Sequence, residues 1–167
     1  DRVTSGSGLP DDGAAELAAI PRDSGTVSVD GTESVHDGQR RVPGAFRRAL
    51  DAITSLRNRG MAVGVGTQLN TLTVPTLRDL APQLEAAGAL AWQVQHTLPT
   101  GRARQSDLTL TPAQTPPLHR LLRDLAERPG LRPSLTDNVG YLTPADVYLR
   151  PPPGRQPAAP ARTRAGK

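Results

Sequence analysis

The polar residues that could do chemistry gather in one block: Val27-Ser28-Val29-Asp30-Gly31, then His36-Asp37, Arg40 and Gly44-Ala45-Phe46. Taken singly, each has a plain structural explanation. Ser28 stands between two valines, as a strand serine bonded to backbone would, and Arg40 beside Arg41 reads as a solvated basic pair. His36-Asp37 suggests a local turn interaction, because a catalytic dyad would need a nucleophile and none can be named. Asp30 or Asp37 could act as a base in a small α/β enzyme, again without an identifiable partner. His36, His96 and His119 are too scattered for metal-ligand spacing, and His96 near Trp92 reads as a packed or rim histidine. Gly64-Val65-Gly66 lies inside a strand-like run and lacks the helix start that cradles phosphate. No cysteine is present, which excludes disulfides within these residues.

Positioning these groups requires a scaffold, and the hydrophobic pattern supplies one. Strand-like apolar runs alternate with helical periodicity, an order that predicts parallel strands joined by crossovers. Four units can be read. The first has a strand at Arg2 to Thr4, a Ser5-Gly6-Ser7-Gly8 turn and a helix capped by Asp11 that carries Ala14, Leu17 and Ile20. The second has a strand over Thr26 to Asp30 and a loop through His36 and Arg40. It continues into a helix bearing Phe46, Leu50, Ile53 and Leu56, ended by Gly60. The third runs from Met61 through Val63, Val65 and Thr67 to Asn70, then into a helix from near Pro75 with Leu77, Leu80 and Leu84, kinked at Pro82 and closed by Gly88. The fourth passes from Leu90 through Trp92, Val94 and His96, turns at Pro99 to Gly101, and enters a helix with Leu118, Leu121, Leu122 and Leu125 after Thr115-Pro116.

At 167 residues, with 36% hydrophobic and only 2% aromatic residues, the core is expected to be built from Leu, Val, Ala and Ile. The net charge of +4 comes from Arg155, Arg162, Arg164 and Lys167, leaving 16 basic against 16 acidic residues before Pro151. That distribution marks a solvated basic end and argues against a nucleic-acid partner. No run approaches the ~18 apolar residues that span a bilayer, so a cytoplasmic protein without a membrane partner is expected. From Pro151 onward the composition is Pro, Ala, Arg and Gly, and disorder is expected there. Four strand-helix units cannot close a sheet, and parallel strands ordinarily need cover on both faces. The simplest expectation is a chain that begins inside a domain, with a bare edge.

The block from Val27 to Phe46 resembles the fourth strand and following turn of radical S-adenosylmethionine enzymes, of the type with a cysteine-rich SPASM extension. Thr67-Gln68-Leu69-Asn70 resembles their fifth strand and turn, and Trp92-Gln93-Val94-Gln95 through Pro99-Thr100-Gly101-Arg102-Ala103 their sixth. Val3-Thr4-Ser5-Gly6 resembles a degraded third strand. Asp137-Asn138-Val139-Gly140-Tyr141 with Leu149-Arg150 resembles the lead-in to the extension. The resemblance implies an α/β fold, a partial TIM-type barrel comprising the third to sixth strands. Residues 1–135 would form the partial core, 136–150 the lead-in and 151–167 the tail. It also implies S-adenosylmethionine as a ligand. Ser28 would contact its ribose or amino acid part, Arg40 its carboxylate, and Leu98 its adenosyl part; an arginine fork matches a carboxylate well. Gln95 and His96 would lie near the substrate side. The family's [4Fe-4S] cluster is held by thiolates, which this chain cannot provide. Family substrates are often peptides, modified through a 5'-deoxyadenosyl radical. The chain would thus be a central fragment, inactive alone. The alternative is a cysteine-free module that binds a peptide or partner protein along an exposed strand edge.

Overall fold

A computed structural model describes residues 3–4, 24–97 and 108–135. In chain order these form β1 (Val3–Thr4), β2 (Ser24–Ser28), α1 (Glu33–Arg40), α2 (Ala45–Asn58) and β3 (Ala62–Leu69). A 3₁₀ turn at Val74–Thr76 leads into α3 (Leu77–Ala86), followed by β4 (Ala91–His96). Another at Pro112–Gln114 leads into α4 (Thr115–Glu127), followed by β5 (Pro133–Leu135). All five strands lie parallel in one open sheet, in the order β1-β2-β3-β4-β5. This is the α/β architecture of a partial TIM-type barrel, as the strand-helix alternation predicts. The expected helix through Ala14, Leu17 and Ile20, the Pro99 to Gly101 turn, the segment from Thr136 to Arg150 and the tail from Pro151 lie outside the described residues.

Period-two alternation divides the sheet chemically. On one face Val27, Val29, Val63, Val65, Leu69, Trp92, Val94 and Leu135 are buried in a single cluster with Phe46 and Ile53 of α2, Leu80 and Leu84 of α3, and Leu118 and Leu122 of α4. Each such aliphatic side chain contributes about 1.5–3 kcal/mol on leaving water. The other face carries Ser24, Thr26 and Ser28 on β2, Gly64, Gly66 and Gln68 on β3, and Gln93 and Gln95 on β4, all partly or fully exposed. Parallel sheets are usually apolar on both faces. Among the described residues helices cover one face, and the second is small and polar.

The helix ends behave as their sequences predict. After α2, the Met61 N–H donates to Leu56 O at 3.2 Å and the Gly60 N–H to Arg57 O at 2.9 Å. After α3, the Ala89 N–H donates to Leu84 O at 3.0 Å and the Gly88 N–H to Glu85 O at 2.9 Å. Both are Schellman closures that satisfy the last carbonyls and turn the chain directly into the next strand. Two elements differ from expectation. The segment carrying His36 and Arg40, expected as a loop, is the helix α1, and β5 adds a short strand where none is foreseen. Among the described residues no helix is long and apolar enough to cross a membrane.

One polar relay crosses the buried face. Thr67 Oγ1 donates to Val29 O at 2.6 Å and accepts from Trp92 Nε1 at 2.9 Å, with both side chains almost wholly buried. It satisfies the indole N–H and links β2, β3 and β4. Thr67→Val preserves shape but orphans a buried donor, so urea unfolding is expected to show a loss of about 1–3 kcal/mol. Adding Trp92→Phe removes the orphan, and the double variant is expected to lose less than the two single losses combined.

Candidate functional site

The polar block folds over the C-terminal ends of β2 and β3, and its centre is Asp30. Strand β2 ends at Ser28, Val29 still donates its N–H to Gly66 O at 2.9 Å, and Asp30 then leaves the sheet. Three bonds fix this residue. Asp30 Oδ1 accepts the backbone N–H of Gln68 at 2.9 Å, Oδ2 accepts from Arg40 Nη2 at 2.7 Å, and its own N–H donates to His36 Nδ1 at 2.8 Å. The carboxylate thus ties two strands and α1 at one point. The following Gly31 has φ +88°, and a Cβ there would come within 2.9 Å of Thr76 Oγ1 and Val35 Cγ1. Only glycine lets α1 approach so closely.

The block brings together some of the expected residues and separates others. Arg40 lies on the last turn of α1, its side chain about one-third exposed, with Nη2 of its planar guanidinium fork on Asp30. Ser28 lies on the polar face, two residues before Asp30, paired in register with Gly66. Its hydroxyl has no hydrogen-bond partner among the described residues, so the backbone-bonded explanation does not apply. Leu98 lies outside the described residues.

His36 and Asp37 are adjacent in sequence but hydrogen-bond to different partners, and their charges act on each other without a hydrogen bond between them. His36 turns inward to Asp30 and lies 6.1 Å, edge to face, from the Phe46 ring. Burial pushes its pKa below 6.5, outweighing the opposing pull of Asp30. Its Nε2 is buried without a partner, at a cost of about 1–3 kcal/mol. Asp37 turns to the start of α2, where Oδ1 accepts from the Phe46 N–H at 2.8 Å and Oδ2 from the Gly44 N–H at 2.5 Å. Those backbone donors, the Phe46 N–H foremost, hold its carboxyl below its ordinary value.

At β4 the expected pair also divides. Gln95 lies on the polar face opposite Gln68, with Gln93 beside Gly66 in register. His96 has the same parity as Trp92 and Val94 and so belongs to the helix-covered side, which corrects its expected place near a substrate. Burial, and then the charge of His119 on α4, lower its pKa. No group of three or more His, Cys, Asp or Glu among the described residues could hold a metal ion. The hub role of Asp30 and the row of glutamine amides escape sequence reasoning about single motifs. The period-two alternation of β3 and β4 is the signal that exposes the glutamines.

No protein-family model matches the chain. Curated relatives do. The AdoMet-dependent heme synthase of Oleidesulfovibrio alaskensis is 28% identical over 140 residues, covering 69% of this chain and 36% of that protein. The AdoMet-dependent heme synthase of Nitratidesulfovibrio vulgaris is 34% identical over 79 residues, covering 47% and 22%. The sporulation killing factor maturation protein SkfB of Bacillus subtilis is 29% identical over 79 residues, covering 47% and 19%. These relatives are radical S-adenosylmethionine enzymes, and the chain, with its open parallel sheet, is similar to them over the matched residues. It spans little more than a third, or less, of the length of these three relatives.

The Asp37 geometry gives a pH test. A carboxyl depressed in the folded state contributes stability that is present above its unfolded value, about 3.8, and lost as pH falls through the lower folded value. Urea midpoints measured from pH 5.5 to pH 3 are expected to fall more steeply for the native sequence than for Asp37→Asn, which keeps one acceptor and does not titrate.

Proposed function

We propose that this chain supplies the S-adenosylmethionine cradle of a radical S-adenosylmethionine enzyme acting on a peptide or protein. The supporting observation is the strand end itself. Asp30 holds the partly exposed Arg40 guanidinium, and two residues before Asp30 stands Ser28, whose hydroxyl has no hydrogen-bond partner among the described residues. A guanidinium fork fits the ligand's carboxylate, and a hydroxyl that can donate and accept fits its ribose or amino group. Leu98, following β4, would add an apolar contact to the adenosyl part. Ligands of parallel α/β sheets bind outside the carboxyl ends of the strands, the end of the sheet at which Ser28 and Arg40 are found.

The polar sheet face next to this cradle suits a peptide. Gln68, Gln93 and Gln95 offer amides that pair with backbone N–H and C=O groups, and Gly64 and Gly66 leave room above the strand. A Cβ at Gly66 would meet only Thr26 Cγ2, at 3.7 Å, so the chain's own packing does not require glycine there. S-adenosylmethionine held by Arg40 and Ser28 would supply 5'-deoxyadenosyl radical chemistry toward an unactivated carbon, given a reducing cluster from elsewhere. The residues present do not fit that cluster, because none of the 167 is cysteine. What they contribute is binding and orientation, and isolated from a thiolate-bearing partner segment they would be inactive.

Calorimetric titration of the 167-residue chain with S-adenosylmethionine tests the assignment. Losing a hydrogen bond to a charged group costs about 1.5–3 kcal/mol, so Arg40→Ala is expected to weaken binding about 10- to 150-fold. Ser28→Ala removes a hydroxyl contact and is expected to cost about 2- to 12-fold. Equal affinities in all three proteins, or no heat in any, would overturn the cradle assignment.

A further inference from the structure

His36 is the most buried polar side chain of the site and the one with the least evident purpose. It is wholly enclosed, yet it is an imidazole and not the leucine that packing alone would favour. Nδ1 accepts the Asp30 N–H, which fixes the proton of the neutral ring on Nε2. Around the ring stand Asp30 from the end of β2, Arg40 and Asp37 from α1, and the Phe46 ring from α2. The ring therefore touches both halves of the clamp, gripping Asp30 through its backbone while Asp30 grips Arg40 through its carboxylate.

We infer that His36 is the positioning residue of the ligand clamp: its neutral Nδ1 locks the Asp30 backbone and so aims the Arg40 guanidinium, and a proton added at Nδ1 releases it. The chemistry is direct. A protonated Nδ1 is a donor and would oppose the Asp30 N–H, so the peptide at Asp30 must give way. The new imidazolium also competes with Arg40 for the same carboxylate. Burial keeps the ring neutral at pH 7 and delays its protonation to below 6.5. The clamp is thus closed at neutral pH and opens in acid. Only the ligand consequence depends on Arg40 being a contact to S-adenosylmethionine; the aiming of Arg40 does not.

The test follows the Arg40 guanidinium by nitrogen-15 NMR from pH 8 to pH 5, assigned with Arg40→Lys, with calorimetry on the same samples. In the native sequence, the Arg40 guanidinium protons are expected to be protected from exchange at neutral pH and to lose protection with a midpoint below 6.5. His36→Asn places Oδ1 where Nδ1 was, accepts the same N–H and cannot be protonated, so its protection should persist across the range. His36→Leu should lack protection at every pH; should it fail to melt cooperatively, the asparagine variant carries the comparison alone. Affinity for S-adenosylmethionine is expected to fall about tenfold from pH 7.5 to 5.5 in the native sequence, the worth of one charge-assisted contact, and less than about twofold in His36→Asn. Identical pH profiles in the native and asparagine proteins would overturn the positioning role. Arg40 protection that tracks His36 without any ligand heat would leave that role standing and remove the cradle assignment instead.

Discussion

The carboxylate of Asp30 is the constraint on which the site depends. It accepts the Gln68 N–H where the β2–β3 ladder runs out, and it holds Arg40 from the last turn of α1. Without an acceptor at that place, a strand-end N–H would be unsatisfied and an arginine would lie beside the sheet with nothing to orient it. The imidazole of His36 and the close approach at Gly31 follow from the same requirement, since α1 must lie close over the strand ends for both contacts to form. A single aspartate thus converts a strand terminus into an oriented cationic site.

The two faces of the sheet divide the work of folding and function. The helix-covered face carries the apolar cluster and a buried relay through Thr67 and Trp92. The opposite face contributes little burial and keeps small or amide side chains in register, Ser28 with Gly66 and Gln68 with Gln95. Packing constrains the first face tightly and the second much less.

Helices α2, α3 and α4 are legible in the sequence because Ile53 and Leu56, Leu80 and Leu84, or Leu118 and Leu122 repeat at helical spacing and are buried as that spacing demands. Their closing glycines, Gly60 and Gly88, mark the boundaries equally well. Helix α1 is not legible, because its buried residue is a histidine, and its lodging depends on Asp30 and not on an apolar stripe. Strand β5 is three residues long and begins with Pro133, too little pattern to register. Ser28 and Arg40 stand out through resemblance, but the clamp joins residues separated by 10 and 38 positions, and no local motif encodes that pairing. The parity of His96 is legible from Trp92 and Val94, which would have turned it away from the polar face.

The one-sided cover of this sheet also bears on how the molecule meets its surroundings. Hydroxyls, glycines and amides wet readily, so among the described residues this side presents no greasy plane to neighbouring molecules.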